Sequence, residues 1–249
     1  MSSTQEDLTT STIIITMPSR PQKIKGVIFD LDQTIIDSLG ALTEAFNIGI
    51  RKYGSEPVTE EKIAHFLDKA FRLGEMLLEL FPSVFKEDTK RQTCEDQIRK
   101  AYFELEPEKV LLKPGVKHTL QSLKERGIKI GIVTGRRSKE EGKWLELRRL
   151  SIHQYVDAMV TAAEAPAKPA PDGVIKCIKE LGLSPDDCMF VGDSRVDMIA
   201  GKKAGVKTVA VHTGVAGKKL LAEQGPDYIL DDLNLLFSYL SDLQKTEER

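Results

Sequence analysis

A chain of 249 residues with 41% hydrophobic side chains holds enough apolar material for one large domain or two modest ones. Its 36 Lys and Arg against 38 Asp and Glu leave a net charge of -2. That lacks the basic excess of an electrostatic nucleic-acid binder, so no nucleic-acid partner is expected. Three cysteines, Cys94, Cys177 and Cys188, form neither an even set nor a CxxC pair, which argues against a disulfide framework or a zinc site and fits a reducing, cytoplasmic setting. No apolar run approaches the roughly 20 residues that span a bilayer, and the early "TIIITM" lacks the basic start and length of a signal peptide, so no membrane association is expected.

In chain order, residues 1–23 are rich in Ser and Thr and are predicted to form a flexible extension. The run "IKGVIF" at 24–29 is rich in β-branched side chains and suits a buried parallel strand. It ends in two carboxylates one residue apart, Asp30 and Asp32. Residues 39–111 contain no convincing strand. Leu42, Ala45, Phe46, Gly49 and Ile50 share one helical face, Ile63, Phe66, Leu67 and Ala70 a second, and Cys94, Ile98, Ala101 and Tyr102 a third. This segment is expected to be a small helical cap inserted into an α/β core made of 24–38 and 112–249. An insertion at the carboxyl end of a strand lies over the place where open α/β sheets bind ligands, so it is placed to act as a lid.

Further strands are predicted at 128–133, 187–191 and 207–211, with a weaker one at 155–160. Helical patterns lie between them: Val116, Leu120 and Leu123; Trp144, Leu147 and Leu150; Ile175, Ile178 and Leu181; Ile199 and Ala204. Strands alternating with helices imply a parallel sheet covered on both faces. Ser184 to Asp187 reads as a turn. The second strand leads into Thr134, a hydroxyl, and Gly135, whose bare backbone can approach a ligand. Arg136 and Arg137 follow; solvation at a helix start is the favoured reading and contact with substrate the alternative. Lys168 stands in the Pro-rich "AKPAPD", and "MFVGDSRVD" places Asp193 and Asp197 after a strand.

Two carboxylates about 4 Å apart repel by roughly 4 kcal/mol at an effective dielectric near 20, so something cationic must sit among them. Oxygen-only donors suit a hard cation such as Mg²⁺, which commonly shares its coordination with a substrate phosphate. A metal, a Lys and a hydroxyl donor facing an Asp form a phosphoryl site, in which the Asp attacks phosphorus and the cations neutralise the oxygens.

These four stretches, "DLDQT", "VTGR", "AKPAPD" and "GDSRVD", resemble in order the four motifs of the haloacid dehalogenase superfamily, and the helical insert resembles that family's smaller cap class. The resemblance implies a Rossmann-like parallel sheet with an inserted α-helical cap. It makes Asp30 the nucleophile and a Mg²⁺ ligand. Asp32 becomes the acid and then the base of the reaction, with its backbone carbonyl on the metal. Thr134 and Gly135 would hold phosphoryl oxygens, Lys168 would stabilise Asp30 and the transferring group, Asp193 would ligate the metal, and Asp197 would orient a metal water or Lys168. Gln33 departs from the pattern, where many relatives have Gly, and a bulky amide there is expected to narrow the entrance or contact substrate. Asp32 argues against the dehalogenase and phosphonatase branches, which lack a second carboxylate. The lack of His between Asp37 and Tyr53 argues against a phosphosugar mutase. The resemblance therefore implies a Mg²⁺-dependent phosphatase acting on a small phosphorylated metabolite. Phosphoglycolate is the first candidate substrate; pyrophosphate, sugar phosphates and nucleoside monophosphates are alternatives. A phosphate-binding regulatory protein without turnover is the competing reading from another class.

Overall fold

The computed structural model describes residues 23–138, 140–214 and 216–246; the extension predicted over 1–23 lies, apart from Lys23, outside the described residues. Strand β1 (Gly26–Phe29) occupies the middle of a sheet, paired with β4 (Lys129–Thr134) on one side and β6 (Cys188–Gly192) on the other. β5 (Ala158–Thr161) lies outside β4, while β7 (Lys207–Val211) and β8 (Tyr228–Leu230) lie outside β6. Every pairing in this sheet is parallel. The register sets Val27 beside Ile130 and Met189, and Phe29 beside Ile132 and Val191.

Alternation along the strands explains why these runs are apolar throughout. Val27, Phe29, Ile130, Ile132, Met189 and Val191 enter one layer of the core with Val116, Leu120 and Leu123 of α6 (Val116–Glu125). Ile28, Val133 and Phe190 face the opposite layer, formed by α9 (Asp172–Leu181) and α10 (Arg195–Ala204). Parallel strands carry helices on both faces, so successive side chains are both buried. Each large side chain removed fully from water, such as Phe29 or Phe190, contributes about 1.5–3 kcal/mol.

The core faces of α9 and α10 differ slightly from the predicted ones. Val174, Cys177, Ile178 and Leu181 are buried in α9 while Ile175 is half-buried, and Met198 and Ala200 replace Ile199 in α10. The predicted turn at Ser184 to Asp187 is a single 3-10 turn, Pro185–Asp187.

Between β1 and β4 the chain leaves through β2 (Ile36–Asp37) and returns through β3 (Leu111–Leu112), which pair antiparallel with Ile36 opposite Leu112. Between them lie α1 (Leu39–Arg51), α2 (Glu60–Asp68), α3 (Leu73–Leu80), α4 (Pro82–Phe85) and α5 (Asp88–Lys109). These helices bury an apolar cluster of their own, with Phe46, Ile50, Ile63, Met76, Leu77, Phe85, Cys94 and Ile98 at its centre. No described helix is long and apolar enough to cross a membrane.

Candidate active site

Three strands deliver side chains to the carboxyl edge of the sheet. Asp30 follows β1, its N–H fixed on the Val191 carbonyl at 2.9 Å; Thr134 ends β4; Asp193 follows β6. The chain runs outward from β1 through β4 and β5, then outward on the other side through β6, β7 and β8. The edge beside β1 is thus the point where strand order reverses, which is where open α/β sheets hold ligands. Lys168 arrives from the loop after β5, next to a cis peptide bond to Pro169.

The ammonium of Lys168 joins two carboxylates. It donates to Asp30 and, at 2.6 Å, to Asp197, and its side chain is only 9% exposed. Carboxylate oxygens of Asp30, Asp193 and Asp197 lie within 4.8 Å of one another, and all three residues are buried. Asp197 is held from both sides, because its other oxygen accepts from the Ser194 N–H at 3.0 Å and from the Ser194 hydroxyl at 2.5 Å. Asp193 accepts from the buried hydroxyl of Thr34 at 2.8 Å. The backbone comes close to these carboxylates: a Cβ added at Gly214 would stand 1.8 Å from Asp193 Oδ2, and one at Gly192 would stand 2.5 Å from the Asp197 carboxyl carbon. Only glycine fits at either position.

Burial pushes the Asp30 carboxyl well above the ordinary carboxylate range; Lys168 opposes this, while Asp197, Asp193 and Asp32 add to it. Burial alone would lower Lys168, yet the Asp197 and Asp30 charges outweigh it and hold the ammonium protonated. Three buried carboxylates against one ammonium leave an excess of negative charge around oxygen-only donors. That donor set fits a hard divalent cation, with Asp30 and Asp193 as candidate carboxylate ligands, whereas Asp197 has its two oxygens held by Lys168 and Ser194.

Asp32 stands apart from that cluster. Its Oδ1 accepts from the Ser38 hydroxyl and from Arg136 Nη2, each at 2.6 Å, and its Oδ2 accepts from Arg136 Nε at 2.9 Å. Burial raises this carboxyl, but the Arg136 charge and the bonds from Arg136 and Ser38 outweigh it, so the net shift is downward and Asp32 is held ionised. Arg136 also donates to Glu146 Oε2 at 2.8 Å and to the Tyr102 hydroxyl at 2.5 Å. The expectation that Arg136 would be solvated is therefore corrected: its side chain is 22% exposed and its planar fork matches a carboxylate. Arg137 is exposed, as expected.

Gln33 is also corrected. Its φ of 66° is left-handed, the conformation in which glycine is unstrained. The side chain is buried and donates to the Ser38 hydroxyl at 3.3 Å, so it supports the residue that holds Asp32 instead of narrowing an entrance. Thr134 is buried beside the backbone N–H of Arg136, and a Cβ at Gly135 would meet nothing within 4 Å, which leaves that backbone open to a ligand. Of the sequence candidates, Asp30, Lys168, Asp193 and Asp197 form one connected group, with Asp32 close enough to act on Asp30 electrostatically. The sequence pattern does not single out the roles of Thr34, Ser38, Tyr102, Arg136, Glu146 and Ser194; only Thr34, which closes the "DLDQT" stretch, carries a signal in its position.

Residues 27–211 match the sequence model of the haloacid dehalogenase-like hydrolase family. The chain belongs to this family. The hydrolase is 31% identical over 221 residues to the pyrophosphatase PpaX of Bacillus mycoides, covering 88% of this chain and 98% of that one. It is 29% identical to the pyrophosphatase PpaX of Bacillus cereus over 90% of this chain and all (100%) of the relative. Among solved structures it superposes on a predicted phosphoglycolate phosphatase from Haemophilus somnus with a TM-score of 0.78 at 24% identity, covering 87% of this chain and 98% of that one. A haloacid dehalogenase-like hydrolase from Streptococcus pneumoniae gives 0.75 at 20% identity, with 87% and 98% covered. These structural likenesses concern the hydrolase fold.

Proposed function

We propose that this hydrolase cleaves a phosphoryl bond of a small phosphorylated metabolite through an aspartyl phosphate on Asp30. The observation that carries this reading is the Lys168 ammonium set between Asp30 and Asp197 in a buried carboxylate group that also contains Asp193, beside the open backbone of Gly135.

An Asp30 oxygen attacks phosphorus while the bond to the leaving oxygen breaks. Asp32, ionised in the free site, takes up a proton as substrate enters and passes it to the leaving oxygen. Water then attacks the aspartyl phosphate, Asp32 in its ionised form accepts the water proton, and inorganic phosphate leaves with Asp30 regenerated. Lys168 offsets charge on Asp30 and on the transferring oxygens, and Thr134 with the Gly135 N–H holds those oxygens. Asp30, Asp193 and the Asp32 carbonyl would hold Mg²⁺, which when bound neutralises charge on the phosphoryl oxygens. Asp197 keeps Lys168 in place. The helical insert serves as a cap over this edge, and three buried free thiols support a reducing, cytoplasmic setting.

Two substrates lead. Phosphoglycolate suits a small phosphomonoesterase of this cap size, and pyrophosphate is favoured by the names of relatives about one third identical. Release of p-nitrophenol from p-nitrophenyl phosphate tests the chemistry. Turnover is expected with Mg²⁺, none without it, and a loss of at least about 10³-fold in Asp30→Asn, since the nucleophile itself is removed. Turnover unaffected by that substitution rejects Asp30 as nucleophile. Phosphate binding with no turnover of any ester or of pyrophosphate would instead establish the regulatory alternative.

A further inference from the structure

Around Asp32 the structure places cationic and hydroxyl donors that the reaction as written does not use. We propose that Arg136 and Tyr102 form an anion-recognition subsite that selects substrates whose leaving group carries a negative charge. The inference rests on the proposed function, because it concerns the group that departs past Asp32.

The geometry supplies the reason. Arg136 binds both oxygens of Asp32, at 2.6 and 2.9 Å, so any leaving oxygen within hydrogen-bond reach of that carboxyl lies within about 6 Å of the guanidinium. Asp32 alone would repel an anionic leaving group, and Arg136 cancels that repulsion. The guanidinium has five N–H donors. Nε–H and one Nη2–H are taken by Asp32, the other Nη2–H by Tyr102, and one Nη1–H by Glu146. The second Nη1–H has no acceptor among the described residues. Tyr102 accepts from Arg136, and no acceptor for its own proton is found among the described residues. The Tyr102 hydroxyl, bonded to the same Nη2 that holds Asp32, therefore offers its proton close to the acid, while the spare Nη1–H lies on the guanidinium edge away from Asp32, so Arg136 acts on an anionic leaving group chiefly through its charge. Glu146 does little to neutralise the guanidinium at neutral pH, since burial pushes its carboxyl up to about 8, against the pull of Arg136.

Charged hydrogen bonds of this kind are worth about 10- to 100-fold in discrimination. Two substrates of similar size isolate the effect: 2-phosphoglycolate, whose leaving group bears a carboxylate, and 2-hydroxyethyl phosphate, whose leaving group is neutral. The ratio of their kcat/KM values is measured for the unmodified protein, Arg136→Met, Arg136→Lys and Tyr102→Phe, with pyrophosphate as a second anionic case. The unmodified protein is expected to favour the anionic substrates, and Arg136→Met to lower that ratio at least about 10-fold beyond any loss common to both substrates. Arg136→Lys should retain part of the preference. Tyr102→Phe, which removes one hydroxyl and leaves the packing intact, should lower it several-fold through KM.

An unchanged ratio in Arg136→Met and Tyr102→Phe overturns the inference, since equal losses on both substrates mean that Arg136 only positions Asp32. So does an unmodified protein that shows no preference. If the unmodified protein turns over none of these compounds and no p-nitrophenyl phosphate, the proposed function fails and takes this inference with it, a result distinct from turnover without preference.

Discussion

Thr34 and Glu146 show two ways in which a buried polar side chain governs this site. Thr34 has no exposed surface and directs its hydroxyl at Asp193, so Thr34→Val removes a donor from a carboxylate that cannot turn to water. A partner of this kind typically accounts for 10- to 100-fold in metal affinity. The Mg²⁺ concentration giving half-maximal activity should rise by about that factor, and an unshifted titration would remove Thr34 from the metal's support. Burial pushes the Glu146 carboxyl from its ordinary value of 4.5 up to about 8, against the pull of Arg136. The unfolded chain therefore gives up this proton first, so the residue's contribution to stability is whole below about pH 4.5 and declines as pH rises toward 8. Glu146→Gln has no proton to lose. Its Tm relative to the unmodified protein should climb across that window, and a difference flat with pH would refute the assignment. At this scale the sequence was legible where spacing along the chain carries meaning, as in Asp30, Asp32, Asp193 and Asp197. Arg136 was not, because its partner Asp32 lies 104 residues away and only folding joins them.

The helical insert behaves as an element with a core of its own. Phe85 from the short α4 is fully buried and meets the Tyr53 ring edge-on at a centroid distance of 5.1 Å. Phe85→Ala should cost about 3–5 kcal/mol locally. Hydrogen exchange is expected to quicken through α1 and α5 while β1, β4 and β6 stay protected, and equal loss of protection in the sheet would show that insert and core unfold as one. Among the described residues, polar ties across the junction include Arg195 with Asp68 at 2.8 Å, Arg136 with the Tyr102 hydroxyl at 2.5 Å, and Arg149 with the carbonyls of Pro107 and Val110 at 3.2 and 3.0 Å. The long elements were readable from periodicity, since the faces of α1, α2 and α5 are broad. The elements α3, α4 and β8 were not. α4 spans 4 residues, and β8 spans 3 with Tyr228 exposed at the edge, too short for a repeat to register.

Across the molecule, strand order was the part that no local pattern could supply. Apolar runs at 24–29, 128–133 and 187–191 announce strands buried on both faces, but a sequence read alone does not say that the first lies between the other two. That arrangement is what gathers Asp30, Thr134 and Asp193, separated along the chain, at one edge of the sheet. The motifs worked as a guide because each sits where a central strand ends, and their order along the chain mirrors a crossing pattern that brings those ends together.

The facing of Ile36 on Leu112 and of Asp37 on Leu111 means that the insert departs and rejoins through neighbouring backbone. A module attached at one such doorway can be exchanged for another of different length or helix count without shifting the sheet's register. Preference for a substrate can in this way be grafted onto a fixed chemical apparatus, and a chimera carrying a relative's helices between these two short strands should inherit the donor's selectivity.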